Sequence, residues 1–172
     1  PFSREIYIDQ DDFKEEYSKK FKKKFTPGKR IRLRNGYVIE AVDYQKDDQG
    51  KVILVNAHLI ENTLGVNPED GINPKGVVHW VCATQGKRAT VRIYDRLFTH
   101  EAPDRGDEDF MQHVNPDSLQ VLENCWVEPS LASALPEATF QFEREGYFVA
   151  DRYDHTEQNP VFNMTIGLRA SV

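Results

Sequence analysis

The sequence predicts an all-β protein, and three observations carry that prediction. Segments of period-two alternation follow one another along most of the 172 residues, Gly and Pro turns separate them, and helical periodicity stands out only once. The pattern argues for a sandwich or barrel architecture, and the length suits two small barrels of about 75–95 residues each. Hydrophobic residues make up 39% of the chain and charged residues 29%, with no apolar run near the ~20 residues of a membrane helix, so a spanning segment is excluded.

Taken in order, "PFSREIYIDQDDF" starts as if in mid-strand, with no Met and no basic-then-apolar signal pattern, and reads as the beginning of a fragment. The next stretch, "DQDDFKEEYSKKFKKKF", sets Phe13, Tyr17, Phe21 and Phe25 four apart, which predicts one amphipathic helix near the N-terminus. Asp11 or Asp12 would cap it and lysines would fill its last turn, as the helix dipole prefers. Its aromatic stripe is read as core packing. "TPGK" then turns the chain into the strand "RIRLRN". Hairpins are expected where "KDDQG" joins "YVIEAVDYQ" to "KVILVNAHLI", where "TQGK" joins "GVVHWVCA" to "ATVRIYD", and where "ATFQFEREGYFVADRY" folds back at "REG". "LQVLENCWVE" and "VFNMTIGLR" are further strands, and "PSLASAL" is one helical turn after Pro129. Two longer loops, "ENTLGVNPEDGINPKG" and "THEAPDRGDEDFMQHVNPD", punctuate the pattern; the second holds five acids between Glu101 and Asp109 and reads as a crossing between two sub-barrels.

Charge is distributed unevenly. The formal net charge is −6, yet nine Lys and Arg and no Asp or Glu lie between Lys19 and Arg34, which leaves the rest of the chain at −15. A basic stretch on an acidic body is the footprint of a polyanion docking site, and equally that of a solvated face followed by a charged strand. Within it, Arg30, Arg32 and Arg34 alternate with Ile31 and Leu33, so an extended strand would set the three guanidinium groups on one face and the aliphatics on the other. "FQFERE" alternates likewise and sends Gln141 away from the core, with Arg144 opening a turn. Side chains of this kind read unpaired RNA bases on their edges while Lys and Arg hold phosphates.

Catalytic chemistry is not visible. No GxxxxGK[ST], GxGxxG or GxSxG occurs, the adjacent acids Asp107, Glu108 and Asp109 sit in a polar loop, and His79 beside Trp80, alternating with Val78 and Val81, reads as a strand residue. Cys82 and Cys125 lie in apolar surroundings and read as buried free thiols in a reducing compartment. The five histidines are scattered singly, so no metal site is expected.

Seven segments, "GKRIRLRNGYVI", "GVVHWV", "VRIYDRLF", "DFMQHVNPDSL", "VEPSL", "FQFEREGYFVAD" and "PVFNMTIGLR", occur in an order and at a spacing that resembles the C-terminal anticodon-binding region of glutaminyl-tRNA synthetases. The resemblance covers essentially the whole chain. It implies two β-barrels, a distal one of residues 20–98 and a proximal one of residues 1–19 and 99–172, that grip the anticodon loop of a tRNA. It further implies a cytoplasmic, monomeric ligase that joins glutamine to its tRNA with ATP and magnesium. The catalytic domain that binds those cofactors lies outside this fragment, whose HIGH-like and KMSKS-like signatures are absent; the fragment needs no cofactor and meets neither DNA nor a membrane.

Carried over residue by residue, Arg32 and Arg34 of "RLRN" would serve the first anticodon base and its phosphate, with Asn35 closing the motif and Arg30 a phosphate neighbour. One of Lys22, Lys23 and Lys24 would serve the third base, Gln141 the middle base and Arg144 the backbone. The chain departs from the family in a one-residue-longer "KKFTPGK" link and in Met164, where relatives often carry a basic residue. A family contact upstream of Pro1 is also missing, which leaves the middle-base pocket incomplete. Two other readings stand beside this one: the tail of an archaeal-type glutamyl-tRNA synthetase, disfavoured by "HWV" and "FQFEREGYF", and a β-barrel interaction module with no RNA role.

Overall fold

A computed structural model describes residues 1–105 and 109–168, so Asp107 and Glu108 of the acidic loop lie outside the described residues. The chain divides into two compact units, Phe2–Ala83 and Thr84–Val172, with Pro1 grouped in the second.

The first unit is built from β1 (Ile6–Ile8), β2 (Arg30–Leu33), β3 (Val38–Lys46), β4 (Val52–Ile60), β5 (Val77–Val78) and β6 (Trp80–Cys82). Four of these form a sheet in the order β4-β3-β2-β5, antiparallel except for the parallel β2–β5 pair, and β1 pairs antiparallel with β6. Period two is explicit in β2: Ile31 and Leu33 are fully buried while Arg30 and Arg32 are half-buried on the other side. Those two aliphatics join Phe13, Phe25, Ile39, Ala41 and Val78 in one core, which Ile6, Ile8, Tyr44, Val52, Val55 and Trp80 border.

The second unit holds β7 (Lys87–Tyr94), β8 (Leu119–Val127), the single turn α1 (Pro129–Ala132), β9 (Thr139–Phe142), β10 (Gly146–Ala150) and β11 (Val161–Gly167). Its sheet runs β8-β7-β11-β10-β9, with β7 and β11 parallel. Phe148, Phe162, Ala89, Val91, Val127 and Ala150 make the core, and the rings of Phe140, Phe142, Phe148 and Phe162 meet at centroid distances of 4.3–6.0 Å. Met164 packs against this cluster as an apolar filler. Among the described residues the two sheets end at β4 and β5 and at β8 and β9, with no further ladder joining those ends.

The all-β expectation therefore holds, and three details differ. The N-terminal helix does not form. Residues 9–25 instead make short 3-10 turns at Gln10–Asp12 and Lys19–Phe21, and the chain returns on itself so that Phe13 and Phe25 bridge in parallel. Lys14 N–H donates to the Phe25 carbonyl at 2.9 Å, Phe25 N–H to the Asp12 carbonyl at 2.8 Å, and the two rings lie edge to face at 6.2 Å. In a helix, residues twelve apart would be separated by about 18 Å along the axis, so burying this pair excludes the helix. Second, "TQGK" is not a hairpin: β6 pairs with β1 and β7 with β8 and β11, and the stretch falls where the two units divide. Third, for the same reason the division lies at 83/84 rather than near 98/99, and the N-terminal strand is paired inside the first unit.

Candidate nucleic-acid interface

The basic segment folds into a strap, Lys14–Lys24, closed at its base by the Phe13–Phe25 bridge. Ser18 caps the 3-10 turn Lys19–Phe21, its hydroxyl accepting from Phe21 N–H at 3.3 Å. Lys22 and Lys23 are exposed. Lys24 is not equivalent to them: its ammonium lies 3.1 Å from the carboxylate of Asp12, whose side chain is only 3% exposed. A buried carboxylate needs a partner, so the charge of Lys24 is engaged inside the fold.

The arginine row is likewise divided in use. Arg30 donates to Glu40 at 2.8 Å, to both oxygens of Asp70 at 2.7–2.8 Å and to the Ile72 carbonyl at 3.2 Å, with 11% of its side chain exposed. Asp70 foremost, then Glu40, raises its already high pKa, and Asp70 in turn is lowered by that guanidinium and by the N–H of Ile72. Arg32 spreads its fork over four acceptors: the carbonyls of Gly36 (3.3 Å), Thr63 (2.8 Å) and Val66 (2.7 Å) and the side-chain oxygen of Asn67 (3.2 Å). Four of its five N–H donors are thus directed at its own chain. Thr63, itself buried, receives the Val38 N–H at 2.9 Å and donates to the Ile60 carbonyl at 2.6 Å, which fixes the start of the clasped loop. The two arginines hold the loop that contains "NTLGVNPEDGI" against β2.

Arg34 follows the strand and is exposed. Its position is set through the main chain: its N–H donates to the Val78 carbonyl at 2.9 Å and its own carbonyl accepts from the indole N–H of Trp80 at 2.9 Å. Asn35 takes φ +52°, the left-handed region that Asn tolerates, in a tight turn where Gly36 N–H donates to the Leu33 carbonyl at 2.8 Å and Leu33 N–H to the Tyr37 carbonyl at 2.9 Å. Strap and strand meet at Gly76. Its carbonyl accepts from the Arg32 N–H at 3.0 Å, and a Cβ there would sit 2.2 Å from the Lys23 carbonyl oxygen. The structure therefore joins the lysine and arginine backbones through one close-packed glycine.

In the second unit, Gln141 is exposed on β9 opposite Tyr147 of β10. Arg144 is exposed in the turn that follows, at φ +70°, where Glu145 N–H donates to the Phe142 carbonyl at 3.0 Å. The exposed set consists of Lys22, Lys23, Arg34 and Asn35 in the first unit and Gln141 and Arg144 in the second, while Lys24, Arg30 and Arg32 are turned to internal partners. Sequence reasoning did not anticipate the acceptors supplied by residues 63–72; the only signal was the turn-forming "NPEDG", whose Asp70 accepts from Ile72 N–H at 2.9 Å. Nor did it expect Tyr17 and Phe21 to face solvent, at 45% and 36% exposure.

Comparison with known proteins gives the family of the chain. Two family models of the same description, class I (E and Q) tRNA synthetase anticodon-binding domain, match residues 1–60 and 77–151. The glutamine–tRNA ligase of Stutzerimonas stutzeri is 51% identical over 173 residues, covering 99% of this chain and 31% of its own length. That of Aliivibrio fischeri is 50% identical over 169 residues, covering 98% and 30%, and that of Pseudomonas putida 50% identical over 173 residues, covering 99% and 30%. The chain spans somewhat under a third of the length of these curated relatives. With the same domain matched in both of its units and identity near one half across this chain, the chain belongs to the anticodon-binding domains of the class I tRNA synthetases for glutamate and glutamine.

Proposed function

We propose that this chain is the anticodon-reading part of a glutamine–tRNA ligase, gripping the anticodon loop of the tRNA to which the whole enzyme joins glutamine. The observation that carries the reading is the identity of about one half, across the full chain, to proteins named glutamine–tRNA ligase; the names favour glutamine over glutamate. The exposed cations of the lysine strap, with Arg34 at the end of β2, give phosphate-binding chemistry on a chain whose remainder is acidic. Asn35 and Gln141 add edge-reading amides, and Arg144 a further cation. Arg32 and Arg30 act by shaping the loop around the site, and any contact of theirs with RNA requires that loop to yield. ATP and magnesium belong to the catalytic domain of the whole enzyme, which we take to be a cytoplasmic monomer that meets neither DNA nor membrane.

Specific reading would come from base-edge hydrogen bonds, each contributing about 1–3 kcal/mol by analogy with bidentate base contacts in DNA, on top of salt-sensitive phosphate attraction. The test is a titration of the 172-residue chain with a glutamine anticodon stem-loop and with stem-loops altered at one anticodon base, at two salt concentrations. Tighter binding to the unaltered loop, weakening with salt, is expected. Binding that ignores the anticodon and the salt would instead mark an interaction module with no RNA role.

A further inference from the structure

The aromatic residues of the strap are not used by the fold. Phe13 and Phe25 fill the core, whereas Tyr17 and Phe21, at 45% and 36% exposure, stand out on the loop between them. Each exposed ring is attended by ammonium groups: Lys20 Nζ lies 5.5 Å and Lys14 Nζ 5.9 Å from the Phe21 centroid, and Lys29 Nζ 5.2 Å from that of Tyr17. The strap is held at both ends, by the Phe13–Phe25 bridge and the Asp12–Lys24 ion pair, and in the middle by the Ser18 cap whose hydroxyl and carbonyl both accept from Phe21 N–H. Of the two acids in the strap, Glu15 is paired with Lys46 at 2.6 Å and accepts from the Tyr44 hydroxyl at 3.0 Å, and Glu16 is exposed; just before the strap, Asp11 faces Lys14 at 3.7 Å. A surface that displays fixed aromatic rings among lysines has the composition of a single-strand RNA contact, in which a base stacks on the ring and the flanking phosphates meet the cations.

Resting on the RNA reading above, we propose that Phe21, with Tyr17 on the same strap, is a stacking platform for an unpaired base of the anticodon loop. Lys14, Lys20, Lys22 and Lys23 hold the phosphates on either side of that base. The choice of RNA over a protein partner follows from charge: no acid lies between Lys19 and Arg34, and a stacked base brings phosphates to the exposed Lys20, Lys22 and Lys23 of that stretch.

The experiment uses the 172-residue chain and an anticodon stem-loop carrying 2-aminopurine at one loop position at a time. Wild-type protein is expected to change the emission at one or two positions through stacking. Phe21→Leu should abolish that change and weaken binding about 5- to 150-fold while leaving the slope of log K against log salt unchanged, since no charge is lost. Phe21→Tyr should restore both. Lys20→Gln should shift the slope by about 0.7. Circular dichroism and the unfolding temperature of Phe21→Leu should match wild type, because the ring is exposed, and Tyr17→Leu supplies a second variant with an intact core. Wild-type binding with no emission change at any position, or a Phe21→Leu variant that binds and perturbs emission as wild type does, overturns the platform and leaves the RNA reading standing. Wild-type protein with no affinity for the stem-loop overturns the RNA reading and the platform together.

Discussion

Arg32 and Arg34 are the same residue type two positions apart, and replacing each by Lys should have very different effects on stability. At Arg32 the planar fork serves four acceptors at 2.7–3.3 Å, two of them the carbonyls of the buried residues Gly36 and Thr63. A lysine ammonium is a point donor that reaches at most two of the four. Losing two hydrogen bonds from a charged group, each contributing about 1.5–3 kcal/mol when desolvated and less at this half-buried position, gives a destabilisation of about 2–4 kcal/mol. For a unit the size of Phe2–Ala83 that corresponds to a fall of about 8 °C or more in unfolding temperature. Arg34 is exposed, so Arg34→Lys should cost about 1 kcal/mol or less. Trp80 belongs to the same unit and donates to the Arg34 carbonyl, so its fluorescence, isolated in a Trp126→Phe background, follows this unit alone during thermal unfolding. Equal midpoints for the two lysine variants would show that the clasp on residues 63–67 contributes nothing and that the hydrogen bonds of Arg32 are incidental.

Gly76→Ala should destabilise the first unit by about 1–3 kcal/mol in urea titrations, since the new Cβ meets the Lys23 carbonyl oxygen at 2.2 Å and the Ile31 methyl at 2.9 Å. Phe162→Ala should cost the second unit about 3–5 kcal/mol by the same measurement, the fully buried ring touching Phe140, Phe142 and His155. The Asp151 carboxylate is held down to about 2 by the Asp154 N–H, the Asn163 amide, the Tyr153 N–H and the Arg92 guanidinium. A depressed carboxylate stabilises the fold fully above its unfolded value of about 4, and that contribution is lost as pH falls toward its folded value. Asp151→Asn should therefore flatten the acid limb of the stability profile between about pH 4 and 2, measured by denaturant midpoints. In stem-loop titrations, Arg34→Ala should reduce affinity for the cognate loop far more than for an altered loop, whereas Lys19→Ala should weaken both alike.

What the sequence made legible was periodicity of two. Ile31 and Leu33 against Arg30 and Arg32, and Phe140 and Phe142 against Gln141, fall on the sides their alternation assigns. The four-residue aromatic spacing misled because it is also what a returning strap produces: Phe13 and Phe25 seek each other, and Tyr17 and Phe21 merely lie between. Spacing alone carries no information about whether a chain continues or turns back, and the decisive hydrogen bonds join residues eleven to thirteen positions apart. For the site, residue type was a sound guide to surface chemistry and a poor one to allocation. Arg30, Arg32 and Arg34 look alike in "RIRLRN", yet the first two are half-buried and reach acceptors 31–42 positions away, while Arg34 is exposed. Lys24 differs from Lys22 and Lys23 only through Asp12, twelve residues earlier.

The clasp formed by Arg32 also bears on how this region tolerates change. Three of its four acceptors are main-chain carbonyls, at Gly36, Thr63 and Val66, and every amino acid supplies a carbonyl. The guanidinium thus grips the course of the loop and is indifferent to most of its letters. Leu64 and Val66, both 57% exposed, can be exchanged freely as long as the backbone path is kept. A loop held in this way can diverge, or be rewritten by an engineer choosing a new RNA, while the strand beneath it stays in place.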